Sequence, residues 1–162
     1  MIEDIELKIG KELRNKGWRL AVAESCTGGL IGHRITNISG SSTYYLGSIT
    51  AYAYEAKVRL LGVSWDTLEK FGAVSKETIE QMALGVRRSL TADVGLAVSG
   101  IAGPTGGTLT KPVGYTWIGL STSRGIWTLQ HTAGGNRIEN KQEVAQVALE
   151  FLYNFLVEDG KD

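Results

Sequence analysis

Leu20-Ala21-Val22-Ala23-Glu24-Ser25-Cys26-Thr27-Gly28-Gly29 passes from a short apolar run into a serine and then two glycines. Leu20 to Ala23 reads as a strand, entered through Trp18. Ser25 and Cys26 end it, and Gly28 and Gly29 open a helix that continues through Ile31 and Ile35. A strand that turns directly into a helix is the unit of an α/β sheet, and it leaves Ser25 at the carboxyl end of that sheet.

The segments on either side agree. Upstream, Ile2, Ile5, Ile9 and Leu13 recur at helical spacing, and Gly17 is a C-terminal stop. Downstream, Gly40 to Ser42 form a turn and the alternation from Ser48 to Tyr54 predicts a second strand. Glu55–Leu61 and Trp65–Phe71 read as short helices. Ser75 is placed to cap a longer one, with Ile79, Met82, Ala83, Val86 and Leu90 as its buried stripe. Val94–Val98 is a buried strand. Val113–Ser121 and Gly125–Thr132 are two more, joined by a turn short enough for an antiparallel hairpin. Asn136 and Glu139 have capping-box spacing before a last helix, whose expected buried face is Val144, Val147, Ala148, Phe151, Leu152 and Phe155. The polar tail from Glu158 to Asp162 is expected to fray. The order of elements predicts one domain with helices on both faces of a mixed sheet, a three-layer α/β/α sandwich.

Composition narrows the partners. Lys plus Arg and Asp plus Glu are 17 each, so the net charge of zero gives no reason to expect nucleic acid or an anionic membrane as the main partner. No apolar run approaches the ~20 residues that span a bilayer. The start Met1-Ile2-Glu3-Asp4 lacks the basic and apolar regions of a signal peptide. Cys26 is the single cysteine, which excludes an internal disulfide and suits a reducing compartment, so a cytoplasmic location is expected.

Three segments can carry chemistry. In the first, Ser25 Oγ lies where α/β folds bind ligands, and the N–H groups of Cys26, Thr27 and Gly28 can hold a phosphate or a developing oxyanion. Taken alone, the string is better explained as a helix cap with close-packed glycines, and it lacks the Gly-x-Ser-x-Gly form of a hydrolase elbow. Cys26 competes as nucleophile if the helix start lowers its pKa, or is a small buried hydrophobe.

In the second segment, Thr50-Ala51-Tyr52-Ala53-Tyr54-Glu55-Ala56-Lys57, Lys57 lies about one turn inside a helix. A serine needs a base. His33 sits in the helix after Ser25 and His131 in a late strand, neither with a carboxylate nearby in sequence, so a serine–lysine pair is the more economical scheme. A lysine must fall from a pKa of about 10.4 to about 7–8 to serve, which disfavours its ammonium by roughly 4 kcal/mol. Tyr52 can relay a proton or hydrogen-bond the lysine. The plain alternative is an exposed lysine. The third segment is the glycine loop from Gly100 through Ile101 and Gly103 to Gly114, which lets backbone approach a ligand but matches neither a Walker loop nor the dinucleotide fingerprint.

Together, Ala23-Glu-Ser-Cys-Thr-Gly-Gly29, Tyr52-x-x-Glu55-Ala-Lys57, Gly72-Ala-Val-Ser75, Ser99-Gly-Ile-Ala-Gly-Pro-x-Gly-Gly107 and Lys111-Pro-Val-Gly114 resemble, in order, the markers of the CinA C-terminal (competence/damage-inducible) family. The resemblance runs from about Ile5 to Leu156. It implies a three-layer α/β/α fold and hydrolysis of the carboxamide of nicotinamide mononucleotide, with no metal or cofactor. It maps the nucleophile onto Ser25, the lysine onto Lys57 and the tyrosine onto Tyr52. Many members carry Gly-Asp-Arg where this chain has Gly135-Asn136-Arg137, an arginine where Lys141 stands, and often an asparagine at Tyr54. Many also have an N-terminal cofactor-binding-like domain, without counterpart in these residues.

The expected scheme has neutral Lys57, assisted by Tyr52, deprotonating Ser25. N–H groups near Cys26 and Thr27, or in the Gly100–Gly103 loop, would hold the oxyanion, and Arg137 the substrate phosphate. Two rivals are a nucleotide-binding module without chemistry and a short-chain dehydrogenase. The second needs tyrosine and lysine four apart, whereas Tyr52 and Tyr54 lie five and three from Lys57. A homo-oligomer is expected, and Trp65, Tyr44 and Tyr45 suit a subunit interface or the core equally.

Overall fold

The structure is a computed structural model that describes residues 4–159. Ile2 of the first helical stripe, and residues 160–162 of the tail, lie outside the described residues. Helix α1 (Ile5–Lys16) ends at Gly17, whose left-handed φ of 65° lets its own and the next N–H return to the last turn. Strand β1 (Leu20–Glu24), helix α2 (Leu30–Thr36), strand β2 (Tyr45–Thr50) and helices α3 (Tyr54–Leu61), α4 (Trp65–Phe71) and α5 (Lys76–Ser89) follow. Strands β3 (Val94–Gly100), β4 (Tyr115–Thr122) and β5 (Gly125–Thr132) precede helix α6 (Arg137–Asp159).

The sheet order is β2-β1-β3-β4-β5. β1 is parallel to β2 and β3, while β4 and β5 run antiparallel to their neighbours, so the sheet is mixed. Alternation within the buried strands divides the core. Leu20, Val22, Leu96 and Val98 face α1, α2 and α6. Ala21, Ala23 and Ala97 face α3, α4 and α5. The second face is built of small residues because α5 lies close: a Cβ on Gly95 would come within 2.9 Å of the Arg87 side chain. The three-layer reading of the sequence is therefore what the chain adopts.

From β1 the chain moves to β2 on one side, then crosses back to β3 on the other. The carboxyl ends of β1 and β3, in register at Glu24 and Val98, thus flank a topological switch point, where open α/β sheets bind ligands.

Several boundaries differ from the sequence reading. β2 spans Tyr45–Thr50 rather than Ser48–Tyr54. Pairing starts earlier because Leu20 N–H donates to Tyr44 O at 2.7 Å, and the ladder closes with Ala51 N–H on Glu24 O. Beyond it, the carbonyls of Ala51 and Tyr52 accept from Lys57, so the alternating tyrosines are not on a strand. β4 starts at Tyr115, after a turn at Gly114 with φ of 89°. Helix α6 continues to Asp159, whose carboxylate accepts from Lys16 Nζ at 3.0 Å. Its fully buried face is Val144, Ala145, Ala148, Leu149, Leu152 and Leu156, while Val147, Phe151 and Phe155 are only partly covered. Tyr44 belongs to the core, Tyr45 is half-buried, and Trp65 is exposed against Tyr54.

The expected caps form. Ser75 Oγ accepts from Thr78 N–H at 3.2 Å. Asn136 Oδ1 accepts from Glu139 N–H at 3.0 Å, while Asn136 N–H donates to Glu139 Oε2 at 2.8 Å, a reciprocal capping box. Asn136→Ala is expected to cost about 1 kcal/mol in urea unfolding. A change under a few tenths would show that the box contributes nothing to α6.

Candidate active site

The sequence after β1 cannot continue as a strand because Gly28 and Gly29 take left-handed φ values of 62° and 106°. The chain turns there into α2, and Ser25 stays at the end of the sheet, held by its N–H on Val98 O at 3.1 Å. Across the switch point, α3 carries Lys57 on the stripe it shares with Leu61, so its stem points into the protein rather than to solvent. Lys57 is 1% exposed. The exposed surface lysine of the plain reading is excluded.

Lys57 Nζ has three neighbours: Ser25 Oγ at 2.8 Å, Ala51 O at 2.9 Å and Tyr52 O at 2.9 Å. Two are carbonyls that can only accept. As an ammonium Nζ can donate to all three; once it loses a proton, two N–H groups can stay on the carbonyls and leave its lone pair for the serine hydroxyl. Burial lowers the Lys57 pKa from 10.5 to about 8, and no carboxylate opposes the effect. The same burial pushes the Cys26 thiol up to about 12, so it stays protonated and unreactive near neutral pH.

Ser25, Cys26, Tyr52, Lys57, Gly100, Ile101, Gly103 and Arg137, all singled out in the sequence, line one cleft of about 280 Å³. Thr27 and Gly28 do not line it. The Thr27 hydroxyl donates to Glu24 at 2.6 Å, and Gly28 turns towards Lys141. Tyr52 contacts Lys57 only through its main-chain carbonyl, because its phenol is exposed and accepts from Arg137 Nη2 at 3.1 Å. A relay through that phenol is not the geometry present. Arg137 Nη1 also donates to Gly103 O at 2.6 Å, so one guanidinium bridges the two walls of the cleft. No carboxylate pairs with it among the described residues.

The remaining lining falls inside strings quoted from the sequence, Ser99, Ala102 and Thr105 in the glycine segment, though Ala73 and Val74 carry no site role there. Ala73 and Val74 come from the link between α4 and α5, inside the Gly-Ala-Val-Ser string. Ser99 Oγ donates to Ala73 O at 2.7 Å and fixes that link against β3. Asn140 was not foreseen either. Its amide donates to Ala102 O at 3.0 Å and accepts from Gly135 N–H at 2.8 Å, docking α6 on the glycine loop.

The histidines stay apart from this cleft. His33 is exposed on α2. His131 does have a carboxylate, Glu143 at 2.7 Å, but lies on β5, three strand spacings or about 14 Å from β1. No three His, Cys, Asp or Glu side chains gather as a metal site among the described residues. A larger groove of about 610 Å³ between β5 and α6 is walled by Trp127, Leu129, Phe151 and Phe155, and contains no nucleophile–base pair. No described helix is long and apolar enough to cross a membrane.

A mixed α/β sandwich with a serine and a buried lysine in contact at the switch point defines a class. Comparison with known proteins gives its family. The model of the CinA C-terminal domain matches residues 2–156, and the chain belongs to that family. It is 43% identical over 150 residues to the nicotinamide-nucleotide amidohydrolase PncC of Enterobacter agglomerans, covering 92% of each chain. It is 48% identical over 146 residues to a CinA-like protein of Salinibacter ruber, covering 90% of this chain and 35% of that one. The chain thus spans about a third of the length of several relatives. Among solved structures, competence/damage inducible protein CihA of Agrobacterium tumefaciens superposes with a TM-score of 0.88 at 37% identity, covering 93% and 94% of the two chains. A CinA superfamily protein of Klebsiella pneumoniae superposes with a TM-score of 0.91 at 28% identity, covering 95% and 96%.

Proposed function

We propose that this protein is a nicotinamide-nucleotide amidase, converting nicotinamide mononucleotide and water to nicotinate mononucleotide and ammonia. The contact between Ser25 Oγ and the buried Lys57 Nζ carries the reading. The likeness to an amidohydrolase over 92% of both chains supports the substrate.

In the first step Ser25 Oγ attacks the carboxamide carbon and its proton passes to neutral Lys57. Two carbonyls hold that amine, so it can rotate little and its lone pair stays on the serine. The oxyanion falls to the main-chain N–H of Cys26, which lines the cleft at the Ser25 turn and donates to no backbone carbonyl among the described residues. Lys57 returns the proton to the departing nitrogen, and ammonia leaves. Water, deprotonated by the same lysine, then releases the acid and restores Ser25.

Arg137 is the partner for the phosphate. It is a guanidinium on the cleft wall without a carboxylate, and a bidentate phosphate suits its fork. A module that only binds nucleotide would not need a lysine stripped of water against a serine. Ammonia release by the purified protein tests the reading. Release of free nicotinamide instead, or of nothing from folded protein, would overturn it. Arg137→Ala is expected to raise KM for the mononucleotide about 10- to 100-fold and to leave turnover of nicotinamide riboside nearly unchanged. Equal losses on both substrates would remove Arg137 from the phosphate site.

A further inference from the structure

The turn that presents Ser25 is soft by composition, since two of its residues are glycines in left-handed conformations. Something must hold it, because a displacement of about 1 Å at a reacting atom costs roughly 100-fold in rate. Glu24 does so. Its side chain is fully buried and accepts three hydrogen bonds. Oε1 takes Thr27 Oγ1 at 2.6 Å and Ile31 N–H at 2.9 Å, and Oε2 takes Gly32 N–H at 3.1 Å. The chain leaves β1 at Glu24, makes the serine turn and returns to the same carboxylate.

A buried carboxylate without a cation is costly, and none pairs with Glu24 among the described residues. Its compensation comes from the N–H groups of α2 and the threonine hydroxyl, all beyond the serine. Those N–H groups are therefore closed to a substrate phosphate. Glu24 does not line the cleft.

We propose that Glu24 is a positioning residue, which closes the Ser25–Gly29 turn and so fixes Ser25 Oγ against Lys57. The proposal rests on Ser25 being the nucleophile of the amidase reading. In Glu24→Gln one oxygen becomes an NH2, which meets the Thr27 and Ile31 donors or the Gly32 donor with another donor. Thr27→Val keeps the carboxylate and the buried shape while removing one bond.

The experiment measures two rates on wild type, Glu24→Gln, Thr27→Val and the double variant. One is kcat for ammonia release. The other is phosphonylation of Ser25 by a fluorophosphonate, in which Oγ displaces fluoride from phosphorus and its proton passes to Lys57. Glu24→Gln is expected to slow both by about 10- to 100-fold with KM within threefold of wild type, and Thr27→Val by about 3- to 10-fold. The double variant is expected to be no slower than Glu24→Gln, because both act on one network. Labelling of folded Glu24→Gln within twofold of wild type would overturn the proposal, as would a rise in KM at unchanged kcat. If Glu24→Gln does not fold, Thr27→Val labelling at the wild-type rate would overturn it alone. A wild-type protein that labels at Ser25 but releases no ammonia would overturn the substrate reading and leave the positioning role intact. Wild-type protein that labels nowhere and releases nothing would overturn both.

Discussion

Ser25→Ala protein is expected to release ammonia from nicotinamide mononucleotide at least about 1,000-fold more slowly than the unchanged chain, while folding as before. The backbone of Ser25 holds the turn through Val98 O and Gly28 N–H, and alanine keeps both bonds. Only Oγ and its contact with Lys57 are lost, and Lys57 retains two carbonyl partners. What remains is binding and the oxyanion donors, which support slow attack by water at best. The loss should fall on kcat rather than KM, because Arg137 and the glycine loop, the groups proposed to hold the nucleotide, are unchanged. Mass spectrometry of wild type quenched during turnover should find the nicotinate mononucleotide acyl group on the peptide containing Ser25. A Ser25→Ala protein with more than a tenth of wild-type kcat would remove the serine from the chemistry.

The second large effect belongs to Lys57. Lys57→Met preserves most of the buried stem and removes the base, and is expected to lower kcat about 100- to 10,000-fold. The wild-type rate should rise with pH and level off above about 8, as Lys57 loses its proton. An acid limb near pH 6 or below would point to a different base.

The same titration must appear in stability. The folded pKa, about 8, lies below the unfolded value of 10.5. Between these limits the unfolded chain holds a proton on Lys57 that the folded chain has released, so the Lys57 contribution to the unfolding free energy climbs with pH across that window, while the raised Cys26 thiol opposes it in both proteins above about pH 9. Below about pH 8 both states are protonated and the folded state bears the cost of a buried ammonium. A pKa gap of about 2.5, at about 1.4 kcal/mol each, bounds the gain at about 3.5 kcal/mol. Lys57→Met should lack it, so the stability difference between the two proteins should move in favour of wild type from pH 8 to 10.5. Parallel pH profiles in urea unfolding would show that the lysine is not titrating inside the fold.

Local chemistry was legible wherever short-range rules act alone. Gly17 ends α1, Ser75 caps α5, and Asn136 with Glu139 starts α6, because each rests on backbone groups within a few residues. The apolar runs of β1 and β3 showed strands covered on both faces, and so the three layers. Each string alone reads as a cap, a surface lysine or a loop; their order, through its resemblance to the CinA C-terminal family, brought Ser25, Lys57, Arg137 and the glycine loop into one expected site.

What the sequence could not carry was direction. The alternation at Tyr52 and Tyr54 imitates a strand, and only the pull of a buried Lys57 on two carbonyls shows why the strand stops at Thr50. The Tyr52 phenol turns to Arg137, which is 85 residues away in the chain and adjacent only because α6 docks on the glycine loop. Glu24 has no assigned role in the sequence, since its three donors are arranged by the turn and not by spacing. Which residues can meet was written in periodicity and glycines. Which atom faces which, and whether a lysine is dry enough to be neutral, depended on burial, and burial belongs to the folded chain as a whole.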